Sequence, residues 1–240
     1  HVTGDVHYLT FLLDPKRTVL TVHDLVLLGR LRGVRRWIVW LLWYWLPVRL
    51  SRAGVVISES TRRELLENLR CDPAKITVIH NNVSDEFQPV PHRFDAECPR
   101  ILHMGTKPNK NLDRVAAALA GLSRAALVAQ YGAADMLIFA SIYEGFGLPI
   151  VEANAVGRPV VTSNILSMPE GAGEAACLVD PFDVASIRAG VLRIIGDADY
   201  RRRLIEAGHA NAGRFRAEKV AARYAALYRE VADGAGAYVT

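Results

Sequence analysis

The sequence predicts an α/β protein with parallel sheets, in two strand series separated by a proline-containing stretch. Three observations carry this. Short β-branched or apolar runs, among them 18–22, 55–57, 76–79 and 136–140, recur with helical patterns between them, as parallel-sheet folds require. Several runs end in polar tips, such as His23-Asp24 and His80-Asn81-Asn82, where α/β proteins usually bind ligands. Residues 83–99 hold several prolines and little periodicity, so they read as a linker region crossing a domain boundary. The first domain is therefore taken as 1–92, the linker as 93–99 and the second domain as 100–240.

Composition bounds the rest. The chain has 240 residues, 51% of them hydrophobic, enough for one large core or two smaller ones. No apolar run approaches the roughly 20 residues that span a bilayer. His1-Val2-Thr3-Gly4 lacks the basic-then-apolar pattern of a secretory signal, and the missing initial Met implies that the chain begins in mid-sequence. Three scattered cysteines fit a reducing, cytoplasmic setting and form no metal-type spacing. A net charge of +4 favours anionic partners but is too small to indicate nucleic acid.

In chain order, Thr18–Val22 reads as the first strand. Arg30, Arg32, Arg35 and Arg36 then lead into the segment 37–46, which contains every Trp in the chain. A helix apolar on all sides is either a core helix or one lying in a membrane interface, and both readings stand here. Val55–Ile57 is the next strand, and Ser60 or Thr61 is expected to cap the following helix, with Glu64 completing a capping box from Thr61. Strands follow at 76–79 and, past the linker, at 101–104. Helices at 112–122 and 124–134 then follow one another where a strand should intervene, which implies residues missing near Leu122-Ser123. Strands at 159–162 and 176–179 precede a helical tail at 184–195, 199–213 and 217–232.

One stretch carries most of the chemistry: Glu144-Gly145-Phe146-Gly147-Leu148-Pro149-Ile150-Val151-Glu152. It follows the apolar run 136–140 and opens a helix, with Pro149 suited to the first turn and Gly157 to the position past the end. Two glycines let backbone N–H groups approach a ligand, and the helix start adds partial positive charge, a combination that favours anions. Glu144 and Glu152 can then reach different parts of one ligand. Ordinary loop glycines and two solvated carboxylates would look the same. Upstream, Lys107 and Lys110 sit beside a helix start, where an ammonium can pair with phosphate.

Residues 141–153, with Gly157-Arg158-Pro159-Val160-Val161, Met168-Pro169-Glu170, Thr21-Val22-His23-Asp24 and Lys110-Asn111, resemble the retaining glycosyltransferases of family four. The likeness covers nearly the whole chain and includes the family's two-glutamate signature. It implies the GT-B architecture, with two Rossmann-like domains facing across a cleft. An acceptor-side first domain would precede a second, nucleotide-sugar-binding one. It also implies early strands and a glycine-containing loop that this chain lacks, so the first domain is expected to be incomplete.

The resemblance further implies a role for each residue. Glu144 would contact the donor sugar, the N–H groups of Gly145, Phe146, Gly147 and Leu148 the sugar and distal phosphate, and Glu152 the ribose hydroxyls. Lys110 would neutralise the diphosphate, and His23 would reach the sugar from the first domain. Thr106 stands where the family commonly has Arg, with Lys107 as a substitute point charge. No metal and no cofactor beyond the nucleotide diphosphate sugar donor are implied. Asp197-Ala198-Asp199 resembles the acidic pair of some sugar transferases, but its place between helices favours Asp199 as a cap.

The expected activity is sugar transfer to a hydroxyl acceptor, in polysaccharide or glycolipid synthesis, with mannosyltransferases among the group resembled. The tryptophan segment adds the expectation of a lipid-linked acceptor and peripheral contact with the inner membrane face. A non-catalytic nucleotide-sugar-binding protein and a sugar-nucleotide epimerase of the same architecture are the alternatives.

Overall fold

The computed structural model describes residues 1–104 and 123–236. Two compact units emerge: His1–Asn81 with the C-terminal residues from Glu218, and Asn82–Ala217.

In the first unit, β1 (Val19–Val22), β2 (Ala53–Val56) and β3 (Ile76–Val78) form a parallel sheet in that order, with Val19 opposite Ala53 and Gly54 opposite Ile76. Every residue of β1 and β2 is buried, because both faces are covered, as parallel sheets require. Alternation sorts the side chains. Leu20, Val22 and Val56 face a core completed by Leu28, Tyr44 and Leu65. Val19 and Val55 face the other way, against Val220, Leu227 and Val231. Those three lie on α10 (Ala217–Gly236), a helix the sequence assigns to the second domain.

Helices α1 (Val26–Arg30), α2 (Gly33–Val39), α3 (Leu46–Arg49) and α4 (Glu59–Leu69) complete this unit. The true cap of α4 is Ser58, two residues before the expected Ser60: its Oγ accepts from the Thr61 N–H at 3.0 Å. Ser58 leaves β2 still extended, so it is the residue with cap-compatible backbone angles. Between α2 and α3, residues Trp40–Trp45 form a π-helical turn. Pro47 has no N–H for the carbonyl of Trp43 four residues back, and His7 Nδ1 donates to that oxygen at 2.7 Å. The segment is neither wholly core nor wholly exposed. Tyr44 is buried and Trp40, Trp43 and Trp45 pack partly on the core, while Trp37 is 58% exposed and Ile38 and Leu42 are exposed as well. Among the described residues no helix is long and apolar enough to cross a membrane.

In the second unit, β4 (Ile101–His103), β5 (Met136–Phe139), β6 (Val160–Ser163) and β7 (Cys177–Val179) run parallel in that order. Around them lie α5 (Arg124–Ala133), α6 (Leu148–Val156), α7 (Met168–Ala172), α8 (Val184–Gly196) and α9 (Ala198–Ala212). Asp197, not Asp199, caps α9, accepting from the Tyr200 N–H at 2.8 Å, while Asp199 pairs with Arg202. The expected helix 112–122 and the inferred gap at its end lie outside the described residues.

The expected boundaries at 92 and 99 are also displaced. The chain from Asn82 onward already belongs to the second unit, held there by particular bonds. Val83 N–H donates to Phe215 O at 2.9 Å and Val90 N–H to Val156 O at 3.2 Å. Buried Asp135 accepts from the N–H groups of Asp95 and Arg100 and from His92 Nε2, at 2.9, 2.7 and 2.7 Å. Proline content signals irregular backbone here, and that backbone is anchored rather than free.

Candidate active site

The site begins at the C-terminal end of β5. The chain leaves the strand at Ala140, passes Ser141–Gly147 without regular structure and enters α6 at Leu148. Gly147 takes the turn in the left-handed region, at φ +87°. A Cβ there would be strained by that conformation and would have to push aside the Met168 Cε and Ile150 Cδ1 tips, 2.9 and 3.1 Å away. Pro149 occupies the first turn, where no N–H is missed. Helix α6 is buried from Ile150 through Val156, and Gly157 ends it at φ +82°.

Hydroxyl groups fasten the loop. Ser141 Oγ donates to Glu144 Oε1 at 3.0 Å, and Ser167 Oγ, fully buried, donates to the Glu144 carbonyl at 2.7 Å. Ser163, at the end of β6, donates to the Ser141 carbonyl. Phe146 is buried and meets the Phe215 ring edge-on at 5.1 Å. Glu144 is half-buried, with its carboxylate held at the strand tip.

Glu152 lies in the second turn of α6 and is 9% exposed. Its Oε2 accepts from Tyr131 Oη at 2.8 Å. Burial pushes the Glu152 carboxyl above its ordinary value, with the Tyr131 hydrogen bond and the Arg124 charge acting against that rise. Tyr131 is wholly buried in the last turns of α5, edge-on to Phe87 at 5.5 Å. Its phenol is pushed well up, first by burial and then by Glu152. Beneath this pair, buried Arg158 donates to carbonyls at both helix ends, to Tyr131 O at 3.2 Å and Gly132 O at 2.8 Å of α5, and to Val156 O and Gly157 O at 3.2 Å of α6. A guanidinium at two helix C-termini answers their unpaired carbonyls and partial negative charge.

Glu144, Gly145, Phe146, Gly147, Leu148 and Glu152 thus share one strand-end loop and helix start. His23 belongs to the first unit, half-buried just past the end of β1. Thr106, Lys107 and Lys110 lie outside the described residues. Sequence reasoning missed Tyr131, Ser163 and Ser167 as supports of this loop. Tyr131 reads only as one apolar position of an amphipathic helix, and nothing local marks its hydroxyl as paired.

A family model described as "Glycosyl transferases group 1" matches residues 109–211, spanning the loop and helix just described. A second, "Glycosyltransferase Family 4", matches residues 5–87 of the first unit. The chain belongs to the group 1, family four glycosyltransferases. It is 45% identical over 85 residues to the O-antigen chain mannosyltransferase B of Escherichia coli, a match covering 35% of this chain and 22% of that protein. It is 39% identical over 114 residues to an MMP α-(1→4)-mannosyltransferase of Mycolicibacterium hassiacum, covering 46% and 28% of the two chains. These matches therefore span less than a third of the curated relatives' own length.

Among solved structures, the sucrose-phosphate synthase of Thermosynechococcus elongatus superimposes with a TM-score of 0.73 at 19% identity, over 89% of this chain and 67% of that one. Anabaena HepE, solved with UDP and glucose, gives a TM-score of 0.69 at 17% identity, over 88% and 71%. At such identities the likeness speaks to fold. That fold is the GT-B type, with two Rossmann-like parallel-sheet units.

Proposed function

We propose that the chain is a retaining glycosyltransferase that moves a hexose, mannose first among candidates, from a nucleotide diphosphate sugar to a hydroxyl acceptor. The observation that carries this is the turn at Gly147. It starts buried helix α6 between two held carboxylates. Oriented N–H groups there suit the distal phosphate and the developing charge of the leaving diphosphate. Glu144, fastened by Ser141, is assigned to the sugar, and Glu152 to the ribose hydroxyls, which two carboxylate oxygens can accept. Lys110 and Lys107 are assigned to the diphosphate, with Thr106 beside them, and His23 to the sugar from the first unit, all on the family resemblance. Retention follows if the acceptor attacks on the leaving-group face and a phosphate oxygen takes its proton. In this reading no metal takes part. The mannosyl preference draws on the mannosyltransferases similar to this chain.

The acceptor is proposed to be a saccharide, lipid-linked, met at the inner face of a membrane. Support comes from exposed Trp37, Ile38 and Leu42 following Arg30, Arg32, Arg35 and Arg36, with exposed Tyr8, Phe11 and Leu12 on the neighbouring 3-10 segment His7–Leu12. Tyr8 reaches Trp43 at 6.2 Å between ring centroids, so the two segments meet. Apolar side chains beside arginines suit an anionic lipid surface. Vesicles of anionic phospholipid should carry the protein into the pellet at low salt and release it at high salt; absence from the pellet removes the membrane part.

The test of the transfer reading is a screen of UDP-, GDP- and ADP-linked mannose and glucose with and without acceptor sugars. One donor should be consumed with its sugar transferred, and Glu144→Gln should lower kcat about a hundred-fold or more with the fold unchanged. Equal turnover in the variant removes the role of Glu144. Nucleotide binding with no donor consumed overturns transfer in favour of a binding protein.

A further inference from the structure

We propose that Tyr131 is a positioning residue for the nucleotide: its hydroxyl holds one oxygen of Glu152 so that the other faces the ribose diol. The inference rests on the donor-site reading above and adds a residue to it. Tyr131 cannot turn away. It is wholly buried, its ring is edge-on to Phe87 at 5.5 Å, and its own carbonyl receives Arg158 Nε at 3.2 Å. The phenol has one hydrogen and two acceptors in reach, Glu152 Oε2 at 2.8 Å and Pro149 O at 3.4 Å. The carboxylate is nearer and charged, so it takes the bond.

The consequence is chemical as well as geometric. A carboxylate this buried is driven toward its protonated form, in which one oxygen becomes a donor. A protonated Glu152 would offer a vicinal diol one acceptor fewer. The Tyr131 hydrogen bond works against that proton and fixes the carboxylate plane. Burial first, and Glu152 after it, push the phenol well above its ordinary value, so the hydroxyl keeps a proton to donate. Ribose recognition by Glu152 should therefore depend on a hydroxyl that never touches the ligand.

The experiment is calorimetric. UDP, GDP and ADP are each titrated into the wild-type protein, Tyr131→Phe, Glu152→Ala and the double variant, and the best-bound of the three is repeated as its 2′,3′-dideoxy form. Wild type should prefer the ribose form. Tyr131→Phe, which keeps the ring, should lose about ten-fold of that preference, the worth of one charged hydrogen bond. It should also lose binding at higher pH than wild type does on acidification. In the Glu152→Ala background the same substitution should change nothing, since its effect passes through Glu152.

An unchanged preference and pH limb in Tyr131→Phe overturn the proposal while leaving the donor site standing, as does an equal loss in both backgrounds. Failure of wild type to bind any of the three nucleotides, or to distinguish ribose from dideoxyribose, overturns the Glu152 assignment and this inference together. Should Tyr131→Phe not fold, 3-fluorotyrosine at position 131 keeps a hydroxyl and makes it a stronger donor. The acid limb should then move to lower pH, and an unmoved limb contradicts the proposal.

Discussion

Single residues decide whether the α6 turn can act on a ligand, and two of them trade stability for that capacity. Glu152 is held as a buried carboxylate whose pKa lies above its ordinary 4.5. The sign follows from proton linkage: the folded state binds the proton more tightly than the unfolded one, so stability falls as pH rises through the folded value. At neutral pH the carboxylate is therefore a burden on the fold. Glu152→Gln should raise Tm at pH 7 while weakening nucleotide binding, and the gain should vanish in acid below the unfolded value. A lower Tm at pH 7 would show that the Tyr131 bond outweighs the burial. Gly147 is the second case. Gly147→Ala forces a side chain into a left-handed turn, 2.9 Å from Met168 Cε. It should cost about 1–3 kcal/mol in urea unfolding and weaken nucleotide binding as the N–H groups shift. The need for glycine was legible from its place before a Pro-started helix. Tyr131 was not, because an aromatic at helical spacing announces packing and conceals its hydroxyl.

At the scale of elements, α5 and α6 are tied at their C-terminal ends by Arg158 rather than by a carboxylate. Its guanidinium also reaches Val90 O at 3.1 Å, joining the anchored 82–100 segment to the helix ends. Arg158→Met should strand these buried carbonyls and cost about 3 kcal/mol, read as a shift in urea midpoint with the slope unchanged. A shift under 1 kcal/mol would mean that water replaces the guanidinium. The strands were readable because β-branched runs between polar tips have few other uses. Several ends were not. Ser58, Ser60 and Thr61 are all good caps, and only the exit angle of β2 selects Ser58. The π turn at Trp40–Trp45 was hidden too, since a segment apolar on every side shows no period from which a change of pitch could be read. Helix α10 shows why domain edges resist reading: its amphipathic pattern says that a face is buried, not which sheet buries it.

For the whole molecule, the two units carry titratable groups that answer acid differently. His7 is buried with its Nδ1–H donated to Trp43 O, and burial lowers its pKa below the ordinary 6.5. Its contribution is present in full above that value and is lost as pH falls through the folded one. In the second unit, burial raises the Asp135 pKa, but the N–H groups of Arg100 and Asp95 with His92 outweigh it, so the net is below 3.8 and its contribution persists to lower pH. Lowering pH from 7 toward 5 should thus increase hydrogen exchange around Trp40–Arg49 before it does around β5 and α6. His7→Asn, which keeps a side-chain N–H donor without the titration, should abolish the difference. Simultaneous loss of protection in both units would contradict it. The central claim, that residues 144–152 cradle a nucleotide diphosphate sugar, is tested most directly by backbone amide NMR during titration with UDP-, GDP- and ADP-mannose. One of these donors should shift the N–H resonances of Gly145, Phe146, Gly147 and Leu148 most strongly. Saturable donor binding that leaves those four resonances in place would contradict the account.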